Sequence, residues 1–215
     1  MQLKATGASV KPHVEFLTSA AAPDQFPHPG PPEVAFIGRS NVGKSSLLNS
    51  LVGSRIAHVS STPGRTRTIN FFPVRWKPKQ PVPDLLLVDL PGYGYARLSR
   101  EVSAGWGEFI DPYLMERKTL ALCVVLVDVN VPPQTSDRGL VEFLRRAERE
   151  FVVVATKSDK LSANQLRSKL RELTEAYETN AIICYSAKTG AGREELWRRI
   201  REAVGGSTQS GIREK

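Results

Sequence analysis

The segment that decides the fold is Gly38-Arg39-Ser40-Asn41-Val42-Gly43-Lys44-Ser45. It matches the pattern GxxxxGK[ST]. A short apolar run typical of a buried strand precedes it, and a segment with helical periodicity follows it. In that context the pattern indicates a loop that binds phosphate groups. The alternative for this motif alone is a glycine-rich turn that arises by chance.

The side chains of this loop have distinct expected roles. Gly38 and Gly43 let the backbone curl so that its N–H groups face phosphate oxygens, and the N-terminus of the next helix favours negative charge. Lys44 is expected to bridge the β- and γ-phosphates during catalysis. Ser45 offers its hydroxyl directly to Mg²⁺, which keeps most of its shell as water and phosphate oxygen. The whole segment is predicted to bind nucleotide.

Strand and helix patterns alternate from residue 33 onward. The predicted strands are Val34 to Ile37, Ile69 to Trp76, Leu85 to Asp89, Ala121 to Val127, Phe151 to Ala155 and Ala181 to Tyr185. The predicted helices are Lys44 to Val52, Ser103 to Arg117, Gln134 to Glu150, Ser162 to Tyr177 and Arg193 to Val204. This alternation predicts one α/β domain with a six-stranded, mostly parallel sheet and helices on both faces. The second and third strands are joined without a helix, so they are expected to pair antiparallel, with the second at an edge.

The ends of the chain differ in composition from its centre. We expect residues 1–32 to form an irregular extension, 33–204 the domain, and 205–215 a flexible tail. The longest apolar runs are far shorter than the roughly 20 residues that cross a bilayer. Residues 1–33 lack the apolar segment of a secretory signal. We therefore predict a cytoplasmic protein with no membrane partner.

A second motif, Asp89-Leu90-Pro91-Gly92, follows a predicted strand. Asp89 lies at the carboxyl end of that strand, where parallel sheets bind ligands, and can hold Mg²⁺ through water. Gly92 supplies a backbone N–H that can approach the γ-phosphate, which makes the following loop sensitive to a triphosphate. We assign Gly92 a catalytic role for this reason.

The choice of base is predicted from Thr156-Lys157-Ser158-Asp159, which follows another apolar run. The Asp159 carboxylate can accept hydrogen bonds from guanine N1–H and N2–H₂, and adenine has no such donor pair. The stem of Lys157 can lie over the purine ring, and Thr156 stands where most GTPases have Asn. Backbone N–H groups near guanine O6 are expected from Tyr185-Ser186-Ala187. The sequence therefore predicts a site for GTP and GDP.

The net charge is strongly positive, at +8 with a pI near 9.7. Such a charge is typical of proteins that meet polyanions. Much of the excess lies between Gly53 and Arg100. The basic residues of that segment are Arg55, Arg65, Arg67, Arg75, Lys77, Lys79, Arg97 and Arg100. An RNA partner is one interpretation, and an ordinary solvated face is the other.

Several motifs together resemble the EngB family, also called YihA or YsxC, over roughly Glu33 to Val204. They are Gly38 to Ser46 (GRSNVGKSS), Pro63-Gly64-Arg65-Thr66, Asn70-Phe71-Phe72, Asp89 to Gly94 (DLPGYG), Trp106-Gly107 and Thr156 to Asp159. The resemblance implies a Ras-like fold in the translation-factor-related (TRAFAC) class of bacterial GTPases. It also implies a role in assembly of the large ribosomal subunit and in normal cell division and septation.

The resemblance assigns further residues to the site. Thr66 is implied to be the switch threonine, which coordinates Mg²⁺ directly and acts in catalysis. It lies within the implied nucleotide-contact stretch Gly64-Arg65-Thr66-Arg67-Thr68. In Ras-like enzymes a Gln after DxxG orients the attacking water, whereas this chain has Tyr93 there. Either Tyr93 is structural, or a group from a partner or from residues 60–68 completes the site; slow unassisted hydrolysis is expected.

Asn41 raises the hypothesis of a K⁺ ion beside the phosphates, because GTPases that resemble this one and carry Asn there sometimes bind K⁺. Two functions stay open. The first is a GTP-hydrolysing factor, monomeric and ribosome-associated, that acts on the large subunit or its RNA without DNA specificity. The second is a nucleotide-gated module that binds RNA or protein and hydrolyses GTP incidentally.

Overall fold

Strands and helices alternate along the chain, as the sequence pattern predicts. The computed structural model describes residues 11–57, 68–93 and 110–210. The strands are β1 (His13–Val14), β2 (Thr18–Ala20), β3 (Glu33–Gly38), β4 (Ile69–Arg75), β5 (Leu85–Asp89), β6 (Leu120–Asp128), β7 (Phe151–Thr156) and β8 (Ile182–Cys184). The helices are α1 (Lys44–Val52), the described part of α2 (110–116), α3 (Thr135–Arg146), α4 (Ala163–Tyr177) and α5 (Arg193–Ser210).

The strands form one mixed sheet in the order β1-β4-β5-β3-β6-β7-β8, with β2 also paired to β4. β3 lies parallel to β5 and to β6, and β6, β7 and β8 continue the parallel arrangement. The carboxyl ends of β3, β5, β7 and β8 therefore meet at one edge of the sheet. The motifs that begin at Gly38, Asp89, Thr156 and Tyr185 lie at these ends, which is where open α/β sheets bind ligands.

The two faces of the sheet carry separate apolar cores, because successive side chains of a strand point to opposite sides. Val34 and Phe36 of β3 pack with α1 and α5, whereas Ala35 and Ile37 pack with α2, α3 and α4. Helices on both faces confirm the predicted class. Phe71 and Phe72 are buried in β4, so both belong to the core, as strand periodicity indicates.

The segment before β3 is not irregular throughout, which corrects the description of residues 1–32. β1 and β2 pair antiparallel with β4, so the sheet has eight strands and β4 does not form its edge. Ala20 is fully buried, and Phe26 packs against the core. This pairing satisfies backbone groups that an exposed edge strand would leave open. Strands of two or three residues are too short to give a periodic signal.

The C-terminal helix is longer than predicted. α5 continues to Ser210, so residues 205–210 are helical, and the flexible-tail description is wrong for them. Once a helix has formed, each further residue adds a hydrogen bond at little nucleation cost, and Gly205 and Gly206 weaken it without ending it. α3 instead ends earlier than predicted. Glu148 takes a left-handed backbone conformation with φ 52°, which stops the helix two residues beyond Arg146.

A buried ion pair holds the edge of the sheet opposite the nucleotide motifs. Glu33 is fully buried, and Arg117 donates to its carboxylate at 2.6 Å. Tyr113 donates at 2.8 Å and Thr119 at 2.7 Å to the same carboxylate. These bonds compensate for burying the charge, and they fix the end of α2 to the start of β3.

Candidate functional site

The phosphate loop connects the end of β3 to the start of α1. Asn41 and Gly43 both have left-handed backbone conformations, with φ 64° and 104°. Gly43 is the N-cap of α1, and a side chain there would be strained at that φ. Lys44 and Ser45 begin the helix directly after this turn. The backbone is therefore curled as a phosphate-binding loop requires, with the first-turn N–H groups of α1 beside it.

Lys44 and Asp89 form an ion pair that joins the phosphate loop to the end of β5. Both side chains are mostly buried, with exposures of 10% and 7%. Ser45 follows Lys44 in the first turn of α1. The predicted phosphate cation thus lies beside the carboxylate predicted to organise Mg²⁺. The hydroxyl and carboxylate oxygens of Ser45 and Asp89 are the donors that Mg²⁺ prefers, so the residues fit that ion.

Backbone hydrogen bonds join Tyr93, which follows β5, to the phosphate loop. Ser40 N–H donates to the Tyr93 carbonyl at 3.0 Å, and Tyr93 N–H donates to the Gly38 carbonyl at 3.3 Å. A Cβ at Gly92 would lie 3.1 Å from Ser40 Oγ and 3.2 Å from Ser40 Cα and N. Close approach of the two loops therefore favours glycine at this position. Leu90 is fully buried in the core, so its contribution to the site comes from its backbone.

We call the predicted base-recognition motif, Thr156 to Asp159, the base loop. Thr156 links this loop to the phosphate loop. This side chain is 3% exposed, and its hydroxyl lies 2.7 Å from the Val42 carbonyl and 3.0 Å from the Val127 carbonyl. Lys157 Nζ donates to the Asn41 carbonyl at 2.9 Å. The Thr at this position therefore supports the loop through a direct bond, although most GTPases have Asn there. Sequence reasoning alone could not assign this bond.

Lys157 also pairs with the carboxylate of Asp128, at 2.7 Å. Partial burial opposes the charged form of Asp128, but hydrogen bonds from Lys157 and Asn130 outweigh it and hold the pKa of this carboxyl below its ordinary value. Lys157 itself has a left-handed backbone, with φ 58°. The lysine is thus fixed at its head by Asp128 and Asn41, and its stem crosses the space between the two loops.

Asp159 is exposed, and Ser186 donates to its carboxylate at 2.7 Å. This bond is the main reason that the pKa of Asp159 lies below its ordinary value, and Lys188 and Lys160 add to the effect. Ser158 N–H donates to the Tyr185 carbonyl at 3.2 Å, which joins the loops after β7 and β8. The carboxylate is therefore kept charged and held in place with its face open to solvent.

A cavity of about 430 Å³ lies between these loops, a volume typical of ligand sites. Its lining residues are Gly43, Ser46, Leu47, Thr156, Lys157, Asp159, Lys160, Tyr185, Ala187 and Lys188. The phosphate-loop, base-loop and β8 motifs therefore share one cavity. Sequence reasoning missed Ser46, Leu47, Lys160 and Lys188. Lys160 and Lys188 each follow a predicted site residue directly, so their charge and adjacency are the signals that could have found them.

Comparison with known proteins agrees with this arrangement. A family model described as a 50S ribosome-binding GTPase matches residues 33–157. The probable GTP-binding protein EngB of Koribacter versatilis is 57% identical over 190 residues, covering 88% of this chain and 93% of that protein. The corresponding protein of Acidobacterium capsulatum is 52% identical over 196 residues, covering 91% and 93%. The chain belongs to the EngB family.

The fold agrees with a solved EngB structure as well. A crystal structure of a probable GTP-binding protein EngB matches with a TM-score of 0.65 and 28% identity, over 80% of this chain and 98% of that one. The 50S ribosome-binding GTPase model ends at Lys157, two residues before Asp159. The EngB relatives extend the match over most of the chain. Of the helices within the described ranges, none has the length and apolar character needed to cross a membrane.

Tyr93 is hydrogen-bonded to α3. It occupies the position directly after DxxG, where Ras-like enzymes carry Gln. Its hydroxyl donates to Asp137 at 2.8 Å, and its ring packs against the core. Burial, and then the nearby Asp137 charge, raise the pKa of Tyr93 far above its ordinary value, so the hydroxyl stays protonated. This arrangement supports the structural interpretation of Tyr93 over a role in activating water.

Of the predicted nucleotide-contact stretch Gly64 to Thr68, only Thr68 lies within the described residues. Gly64, Arg65, Thr66 and Arg67 lie outside the described residues. Thr68 is described, and its hydroxyl lies 3.4 Å from the Asn70 side-chain oxygen at the start of β4. Within residues 11–57, 68–93 and 110–210, no group of three or more His, Cys, Asp or Glu side chains could hold a metal ion. The predicted Mg²⁺ roles of Ser45, Asp89 and Thr66 stay predictions.

Proposed function

We propose that this EngB-family protein binds GTP and GDP with Mg²⁺, hydrolyses GTP slowly to GDP and phosphate, and acts as a nucleotide switch in large ribosomal subunit assembly. The observation that carries the proposal is the placement of Asp159. Its charged carboxylate, held by Ser186, borders the same cavity as Gly43 of the phosphate loop. A guanine base on Asp159 would therefore direct its phosphates toward Lys44.

The mechanism follows from the groups around the phosphate loop. Curled backbone N–H groups and the Lys44 ammonium bind the phosphate oxygens, and the Gly92 N–H approaches the γ-phosphate from the other side. Ser45 and Asp89 would hold Mg²⁺, joined by Thr66 in the triphosphate state. When bound, Mg²⁺ supplies positive charge that stabilises the phosphoryl oxygens. Lys44 is paired with Asp89, so the lysine that binds phosphate is held beside the carboxylate that would hold Mg²⁺.

Slow hydrolysis is expected because Tyr93 does not offer a group that orients water. Its hydroxyl is engaged by Asp137 on α3. We propose that a partner, or a group from residues 60–68, completes the catalytic arrangement. A K⁺ ion beside Asn41 is one such completion. The Asn41 side chain is exposed, while its carbonyl accepts from Lys157 at 2.9 Å. Comparing hydrolysis in K⁺ and Na⁺ at equal ionic strength tests this, and equal rates would rule it out.

Charged residues on α5 and near the end of β4 support an RNA partner. Lys11 and Arg193 flank Gly53 at the end of α1. Trp76 packs edge-on against Trp197 with ring centroids 5.0 Å apart, and Arg201 lies over the Trp76 ring at 5.9 Å. We define the basic surface as Lys11, Trp76, Lys77, Arg193 and Arg201. Its charges and one partly exposed aromatic ring suit the phosphates and bases of RNA.

Two members of the basic surface, Trp76 and Lys77, lie at the end of the sheet opposite the nucleotide cavity. β4 runs antiparallel to β5, so Trp76 and Lys77 follow the end of β4 that is far from Asp89. Arg75 and Lys77, the basic residues at that end of β4, therefore do not border Gly92. We infer that this surface provides affinity for RNA in every nucleotide state, and that the dependence on GTP comes from the segments around Thr66 and beyond Gly92.

The proposal is tested by co-sedimentation with purified large ribosomal subunits in GDP, in a non-hydrolysable GTP analogue and without nucleotide, at two salt concentrations. We expect tighter binding with the analogue and weaker binding at high salt. Lys77→Glu with Arg201→Glu should weaken binding in all three states, whereas Arg167→Glu with Arg171→Glu on exposed α4 is the control with the same change in charge. Binding that ignores nucleotide and survives both reversals would contradict the proposal.

A nucleotide-gated binding module with incidental hydrolysis is the second candidate. The engagement of Tyr93 by Asp137 favours it, because the described residues then offer no group that positions water. Stimulation of hydrolysis by large subunits would support the assembly factor, and an unchanged rate would support the module. The family resemblance also leads us to propose a role in cell division and septation, which depletion of the protein in its own host would test through septum placement.

A further inference from the structure

Asp137 is a buried carboxylate that the nucleotide chemistry does not use. It lies in the first turn of α3 and is 4% exposed. Tyr93 donates to one of its oxygens at 2.8 Å, and Tyr177 of α4 lies 3.5 Å from the other. Burying a carboxylate is costly unless such donors compensate. Because Tyr93 directly follows Gly92, Asp137 links α3 to the residue next to Gly92.

The two tyrosines remain donors because burial raises the pKa of each hydroxyl. Burial also raises the pKa of Asp137, while the Tyr93 hydrogen bond and the charge of Arg39 favour its ionised form. A short bond from a protonated Tyr93 to this carboxyl is therefore maintained in the buried site. The Tyr93 side chain has one fixed anchor on α3.

The backbone of Tyr93 is held equally firmly on its other side. Its carbonyl accepts from Ser40 N–H and its own N–H donates to the Gly38 carbonyl, at 3.0 and 3.3 Å. Gly92, directly before it, approaches Ser40 so closely that a Cβ would be 3.1 to 3.2 Å from three of its atoms. The Gly92–Tyr93 peptide is therefore held between the phosphate loop and α3, and it directly follows the peptide that carries the Gly92 N–H.

We propose that Tyr93 and Asp137 form a positioning pair that sets the place of the Gly92 N–H and so the preference for GTP over GDP. This inference rests on the proposed function, because it takes Gly92 as the group that meets the γ-phosphate. Neither residue of the pair touches the phosphates. Loss of the anchor lets the segment after Gly92 relax away from the γ-phosphate, whereas contacts to the β-phosphate and base persist.

The test compares the affinity for GDP with that for a non-hydrolysable GTP analogue, by calorimetry with Mg²⁺ on the full chain. Tyr93→Phe should keep GDP affinity within about twofold and weaken the analogue about tenfold, since one hydrogen bond to a charged group is of that order. Asp137→Asn keeps an oxygen that accepts from Tyr93, so the ratio of analogue affinity to GDP affinity should stay nearly normal in this variant. Tyr177→Phe is the matched control, because it removes a hydroxyl from the same carboxylate without touching the Gly92 segment.

Equal weakening of both nucleotides in Tyr93→Phe would overturn the proposal and leave only a structural role. An unchanged ratio in Tyr93→Phe would overturn it as well. If Tyr93→Phe does not fold, Asp137→Leu takes its place, since that variant removes the acceptor of the same hydrogen bond. A normal ratio of analogue affinity to GDP affinity in Asp137→Leu would then overturn the proposal. Failure of the unmodified protein to bind either guanine nucleotide would instead overturn the proposed function itself.

Discussion

The hydroxyl of Thr156 lies 2.7 Å from the carbonyl oxygen of Val42, 114 residues earlier in the chain. This bond joins the predicted base-recognition loop to the predicted phosphate-binding loop. Because both groups are buried, water cannot replace the hydroxyl if it is lost. The bond therefore fixes the separation of the two loops.

Thr156→Val removes this donor without changing the side-chain shape. We expect the free energy of unfolding to fall by about 1–3 kcal/mol, the cost of an unsatisfied buried carbonyl. GDP affinity should fall as well, because the two loops are no longer tied. Chemical denaturation and calorimetry measure the two effects. Thr156→Ser keeps the hydroxyl and serves as the control; unchanged GDP affinity in the Thr156→Val protein would show that the tie does not shape the site.

Lys44→Met tests the ion pair with Asp89. The variant leaves a carboxylate that is 7% exposed without its partner, so the nucleotide-free protein should lose about 3–5 kcal/mol of stability. Adding Asp89→Asn should recover much of that loss without restoring nucleotide binding. Thermal or chemical unfolding without ligand makes the comparison, and an equally stable Lys44→Met protein would contradict a stabilising pair.

Removal of the ligand gives a related prediction for the unmodified protein. At a GDP concentration of about 100 times Kd, binding should stabilise the folded state by about 2.7 kcal/mol. Lys44→Met at the same GDP concentration should gain far less, because its phosphate contact is missing. Unfolding curves with and without GDP report both values. Equal stabilisation of the two proteins by GDP would show that Lys44 does not contact the phosphates.

The pH dependence of GDP binding should depend on Ser186. Its hydrogen bond lowers the pKa of Asp159, and the ionised carboxylate is the form that accepts from guanine. Affinity is therefore retained as pH falls until the lowered pKa is reached. In Ser186→Ala the pKa rises toward the ordinary value of about 3.9, so affinity should begin to fall at a higher pH. Calorimetry from about pH 3.5 to 7 covers this range. Ser50→Ala, which removes a hydroxyl bound to Tyr185 instead, should leave the profile unchanged.

The Glu33–Arg117 pair should matter for stability and not for nucleotide choice. Arg117→Met leaves a fully buried carboxylate without its main partner and should cost about 3–5 kcal/mol. Tyr113→Phe, which removes one neutral donor from the same carboxylate, should cost less. The ratio of GDP to GTP-analogue affinity should stay the same in both variants. A changed ratio would show that the Glu33–Arg117 pair affects the nucleotide site.

Local patterns were enough to predict the parallel strands. β5 has the predicted bounds, and α4 begins one residue after Ser162, which caps it together with Gln165. Each of these elements carries its own periodicity or capping residue, so its neighbours in space are not needed to recognise it.

The contacts that could not be predicted join residues far apart in sequence. Tyr93 and Asp137 are 44 positions apart, and Asp159 and Ser186 are 27 apart. A hydroxyl or carboxylate gives no sign in the sequence of which partner the fold will bring to it. β1 and β2 were missed for a related reason, since their strand conformation depends on pairing with β4 and not on their own composition.

The central claim is that Asp159 selects guanine, and Asp159→Asn tests it most directly. Binding of GDP, ADP and xanthosine diphosphate would be measured by calorimetry for the unmodified protein and the variant. Of these three nucleotides, we expect the unmodified protein to bind only GDP. The variant should lose at least about 100-fold in GDP affinity, because the paired donors of guanine lose their acceptor, and should gain xanthosine diphosphate. Undiminished GDP binding by the variant, or ADP binding by the unmodified protein, would contradict the assignment of this cavity as a guanine-nucleotide site.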